Sequence, residues 1–98
     1  MSRRPSIGRD GRVAAAEHVH CRQFDGDLVM VDLQGGEYFA LDDVGARMWD
    51  LLNSGKSPAE IGRDLATEYE ADEDKILGDC MKLADELLER GLVVVRAP

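Results

Sequence analysis

The stretch DLVMVDLQGGEYFALDDVGARMW, residues 27–49, decides the fold because its periodicity changes within it. Leu28 to Leu33 is a short apolar run with β-branched residues, the signature of a strand. Gln34-Gly35-Gly36 is a tight-turn signal, and Glu37-Tyr38-Phe39-Ala40-Leu41 reads as the returning strand of a hairpin. After Leu41 the spacing becomes helical. Asp42 or Asp43 can cap a helix whose apolar positions are Val44, Met48, Leu51 and Leu52, with Trp49 beside them.

Upstream, His18 to Phe24 can form a first strand, joined to the hairpin by the turn signal Asp25-Gly26-Asp27. Residues 1–16 are rich in Arg, Gly and Ala without periodicity and read as a flexible N-terminal arm, with the domain itself over residues 17–98. Downstream, Asn53-Ser54-Gly55 ends the first helix. Ser57-Pro58-Ala59-Glu60 opens a second with a cap, a proline at the first helical position and a capping box; Ile61, Leu65 and Tyr69 share one face. Asp72 caps a third helix that runs to Arg90 and stops at Gly91, and Leu92 to Val95 can return as a last strand. The expected fold is α+β and winged helix-turn-helix-like: three N-terminal antiparallel strands followed by three helices.

The third helix carries two apolar stripes. Ile76, Cys80, Leu83 and Leu87 form one; Leu77, Met81, Ala84 and Leu88 form its neighbour. One stripe satisfies the core of a small domain, so the other must meet the hairpin, a second subunit or a bound peptide.

Charge is divided unevenly. Residues 1–24 hold five arginines against Asp10 and Glu17, whereas residues 25–98 hold 7 basic and 18 acidic residues, giving +3 and −11 and the total of −8. Such a body repels a phosphate backbone, and the third helix sets only Lys75, Lys82 and Arg90 against six carboxylates. A DNA-binding regulator is therefore the disfavoured reading of the winged-helix pattern, and no nucleic-acid partner is expected. No apolar run is long enough to span a bilayer, and no signal peptide is evident, so the expected location is cytoplasmic with no membrane contact. Cys21 and Cys80 form no CxxC and read as reduced, buried thiols.

No catalytic constellation is legible. His18 and His20 are the sole histidines and lack partners for a nucleophile–base set or a tetrahedral metal site. Gly26, Gly35 and Gly36 are hairpin glycines, not a phosphate loop. A binding module without cofactor or metal, rather than an enzyme, is expected.

The same hairpin and VGARMW helix, followed by GKSPAEIGRDLATEYEAD (residues 55–72) and LADELLERGLV (residues 83–93), resemble the PqqD-like proteins, also called RiPP recognition elements. The resemblance covers residues 19–95 and is strongest toward the free-standing leader-binding proteins of lasso-peptide biosynthesis. It implies a domain that binds the leader segment of a ribosomally made precursor peptide as an added strand and delivers it to modifying enzymes, here a leader peptidase and a cyclase. The runner-up is a PqqD-type chaperone for a radical SAM enzyme. It further implies a peptide groove between the third strand (Glu37, Tyr38, Phe39, Ala40, Leu41) and the third helix (Leu77, Cys80, Met81, Ala84, Leu88). Which alternate residues of the strand face the groove stays open, as does the choice between monomer and weak homodimer.

Overall fold

The computed structural model describes residues 7–96. Its elements are β1 (Val13–Ala15), β2 (Val19–Phe24), β3 (Asp27–Asp32), β4 (Tyr38–Leu41), α1 (Asp43–Asn53), α2 (Pro58–Tyr69), α3 (Glu73–Glu89) and β5 (Val93–Val95). β2, β3 and β4 form one antiparallel sheet in that order, and β1 pairs with β5 in a second, two-stranded sheet. The three strands, three helices and α+β class expected from sequence are all present, with β1 added.

Local chemistry accounts for the joints. Asp25 and Gly26 both take positive φ, 48° and 92°, the pairing that a two-residue hairpin turn demands and that Asp-Gly tolerates best. The Asp42 side chain accepts from the Gly45 N–H at 2.8 Å and starts α1. Ser57 and Glu60 close the capping box at the start of α2, with Pro58 in its first turn. The Asp72 carboxylate accepts from Asp74 N–H at the start of α3. Each cap satisfies a helix N–H that would otherwise lack a partner.

The core lies between the inner face of the three-stranded sheet and the three helices. Leu28 and Met30 of β3 and Leu41 of β4 meet Met48, Trp49 and Leu52 of α1, Ile61 and Leu65 of α2, and Ile76, Cys80, Ala84 and Leu87 of α3. Helices α2 and α3 approach closely at Gly62, where a Cβ would stand 3.2 Å from the Leu77 Cβ and 3.4 Å from the Glu73 carbonyl. A glycine inside a helix weakens it, and this close approach is what the position gains.

The arm expected over residues 1–16 is corrected at its C-terminal end. Val13 is fully buried, and β1 pairs with β5 in the register Val13↔Val95, Ala14↔Val94, Ala15↔Val93. Arg9 C=O accepts from Ala59 N–H at 2.9 Å, and Arg12 reaches both the Glu60 carboxylate at 2.6 Å and the Gly55 carbonyl. The Ser57 backbone N–H, and after it Arg12, hold the Glu60 carboxyl down at about 2. Residues 1–6, the rest of the expected arm, lie outside the described residues. A three-residue strand is too short to show alternation, and its partner is remote in sequence, so pattern reading passes over it.

Candidate functional site

The sheet has a free edge at β4. Asp32 N–H donates to Glu37 C=O at 2.8 Å, which makes 32/37 a hydrogen-bonded pair of the β3–β4 ladder. The register continues Met30↔Phe39 and Leu28↔Leu41. Hydrogen-bonded and non-hydrogen-bonded pairs alternate in an antiparallel ladder. Glu37, Phe39 and Leu41 therefore spend their main-chain groups on β3, while Tyr38 and Ala40 turn theirs to the open edge. Side chains alternate likewise: Leu41 is buried and Phe39 half-buried toward the helices, whereas Tyr38 and Ala40 face out. Of the two alternate sets, Phe39 and Leu41 are the ones turned toward the helices.

Asp32 sets the turn that leads into this edge. Its Oδ1 accepts from Gln34 N–H at 2.9 Å and Gly35 N–H at 3.0 Å, and His18 Nε2 stands 3.6 Å away. The Gly35 hydrogen bond is the main reason the Asp32 carboxyl is held below its ordinary value. The local sequence Asp-Leu-Gln-Gly-Gly folds this way because an aspartate can cap its own turn through the next backbone N–H groups.

Across from β4 lies one flank of α3. Arg90, the residue that caps its C-terminus, places its guanidinium carbon 4.8 Å from the Phe39 ring centroid. Arg90 and the partly buried Leu83 stand seven residues apart, two helical turns along one face. At this end of the groove Asp32, Glu37, Tyr38, Phe39, Arg90 and Leu92 line a shallow, open depression.

The helix residues expected in the groove are elsewhere. Cys80 and Ala84 are fully buried in the core, and burial alone pushes the Cys80 thiol up to about 12. Leu77 packs against Gly62 of α2, and Leu88 lies against the core. Met81 sits one turn from Leu77 on the same flank and is partly buried. The physical reason is that the wide apolar arc of α3 is consumed by two neighbours. Its centre faces the core and its Leu77 side faces α2, so that the Leu83–Arg90 side is the one turned to β4. Of the ten residues named from sequence, Glu37, Tyr38, Phe39 and Ala40 remain accessible at the edge, and Leu41 belongs to the core. Asp32, Arg90 and Leu92, which line the same end of the groove, and Leu83 were not among those named. The seven-residue spacing of Leu83 and Arg90 was a visible signal, but nothing in the chain said which flank α2 would cover.

Among the described residues no group of three or more His, Cys, Asp or Glu side chains is placed to hold a metal ion, and no helix is long and apolar enough to cross a membrane. What the arrangement offers, among the described residues, is a row of unpaired main-chain donors and acceptors beside a half-buried aromatic and a cation. That is chemistry for holding an extended peptide.

Comparison with known proteins agrees with this geometry. Residues 27–93 match the family model of Coenzyme PQQ synthesis protein D (PqqD). A search of curated proteins returned no match. Among solved structures, TbiB1 in complex with the TbiA(β) leader peptide is similar at 33% identity and a TM-score of 0.76, over 87% of this chain and 99% of that one. A lasso peptide synthetase B1 complexed with the leader peptide is similar at 29% identity and a TM-score of 0.78, over 85% and 98%. The PqqD truncation of Methylobacterium extorquens PqqCD, a RiPP recognition element, shares the fold at 19% identity and a TM-score of 0.75, over 93% and 96%.

Proposed function

The chain belongs to the PqqD family, and on that premise we propose that it binds the leader segment of a ribosomally synthesised precursor peptide and presents it to modifying enzymes. The observation that carries this reading is the open β4 edge, with the main-chain groups of Tyr38 and Ala40 unpaired beside the Leu83–Arg90 flank of α3. A leader laid along β4 completes the ladder with backbone hydrogen bonds, and its inward side chains meet Phe39, Leu83 and Leu92. Affinity comes from the ladder and selectivity from the depression.

Both TbiB1 and the lasso peptide synthetase B1 are similar leader-peptide complexes, and the latter favours a lasso-peptide pathway, in which the partners are a leader peptidase and a cyclase. The role is that of an adaptor and not of a catalyst. Holding the leader raises the effective concentration of the attached core peptide at the enzyme. The site residues in this reading are Glu37 to Ala40 at the edge, with Leu83, Arg90 and Leu92 opposite.

The test is a fluorescence-polarisation titration of the purified chain with labelled synthetic leader segments of precursor peptides encoded beside its gene, each compared with a scrambled version. Saturable binding of one leader and none of its scramble is the expected result. Equal binding of both, or unaided cleavage of the precursor by this chain, would overturn the proposal. A radical enzyme encoded alongside, in place of the peptidase and cyclase, would move the pathway to the PqqD-type alternative.

A further inference from the structure

Arg90 is in an unusual position for a surface arginine. Its guanidinium sits over the Phe39 ring at 4.8 Å, and its Nε lies 3.5 Å from Glu86 Oε1, a long pair in which both side chains are more than two-fifths exposed. An arginine has five N–H donors, and among the described residues none of those of Arg90 makes a hydrogen bond. The group is thus stacked and oriented, with its donors open to solvent.

Strand addition at β4, the reading on which this inference rests, changes that. A peptide that exchanges main-chain bonds with Tyr38 and Ala40 sets one residue directly across from Phe39, and in either strand direction its side chain lies on Phe39's face of the sheet. That side chain lands beside the guanidinium, and the added strand removes water from it. Donors that lose water without gaining an acceptor are costly. A carboxylate answers with two acceptor oxygens in the planar fork geometry that guanidinium prefers. The neighbouring acids do not fill this role. Asp32 is engaged by Gln34, Gly35 and His18, Glu86 reaches only Nε at long range, and Glu37 is exposed to solvent that screens it.

We propose that Arg90 is a specificity-determining residue that selects an acidic side chain at the peptide position facing Phe39. It reads the peptide's charge at one position, whereas the β4 backbone holds any extended segment.

The experiment pans a phage-displayed library of random 12-residue peptides against the full chain and against R90E and R90Q, with circular dichroism as the folding control. The parent is expected to enrich Asp or Glu at a single position of an otherwise apolar, strand-like consensus. R90E is expected to invert that position to Lys or Arg while the rest of the consensus persists, an exchange that a merely structural role for Arg90 would not produce. In the synthetic consensus peptide, replacing the acid by its amide weakens binding to the parent by about ten-fold and leaves binding to R90Q unchanged. The same consensus from R90E and the parent, or a basic residue preferred by the parent, overturns the inference. Each selected binder is also tested on Ala40→Pro. Binders that ignore this change refute strand addition itself, whereas binders that lose Ala40→Pro but ignore Arg90 refute the inference alone.

Discussion

Replacing Ala40 by proline separates binding from folding more cleanly than any change in the core. The Ala40 N–H points away from β3, since the neighbouring residues Phe39 and Leu41 make the ladder to Met30 and Leu28. Proline at an edge position whose N–H faces outward leaves the existing sheet intact. A bound leader loses the donor for one of its carbonyls, and a buried acceptor left without a partner costs about 1 to 3 kcal/mol, or roughly five- to 150-fold in Kd. Fluorescence polarisation with a labelled leader that the parent binds saturably measures the loss, and the circular dichroism melting curve checks the fold. Ala40→Val, which keeps the N–H, should bind close to the parent. Phe39→Pro should instead destabilise the protein, because it removes a ladder bond within the sheet. If Ala40→Pro binds as tightly as Ala40→Val, the leader does not pair with β4 and the reasoning is wrong.

Three further outcomes follow from burial and charge. Ala84→Glu puts a carboxylate at a fully buried position of α3 and should cost about 4 kcal/mol or more; a cooperative urea transition near the parent's would contradict the core assignment. At pH 8 a chromogenic disulfide reagent should titrate Cys21, which is exposed and not buried as expected from sequence, and reach the buried Cys80 only in denaturant. Two rapidly reacting thiols without denaturant would refute this. Glu60 titrates at about 2 in the folded protein against an ordinary 4.5, so its charged form stabilises the fold above about 4.5 and that contribution fades as pH falls toward 2. The urea midpoints of the parent and Glu60→Gln should therefore differ at pH 6 and converge by pH 2; a gap that persists at low pH would assign the effect to packing.

Much of the fold was legible because local signals agreed with the global pattern. The change from strand to helix spacing at Asp42, the Asp25-Gly26 turn and the Ser57–Glu60 capping box each depend on residues within a few positions of one another. The site was half legible for the opposite reason. The edge strand could be named, because it is the last strand before the helices. The flank of α3 that faces it could not, because Leu77 and Leu83 are equally apolar and the choice between them is made by Gly62, which draws α2 onto the Leu77 side. β1 was invisible for a related reason: its partner is β5, and a pairing between the two ends of the chain leaves no local trace.

That pairing also fixes where the domain can be joined to something else. Because β1 and β5 run antiparallel with Val13 opposite Val95, the first and last strands lie side by side, about 5 Å apart as directly opposed strand residues are, and residues 7–12 lead into β1 across α2 and α3. A segment fused after β5 therefore starts beside β1, whereas one fused before β1 has to keep the contacts that Ile7, Arg9 and Arg12 make with the helices.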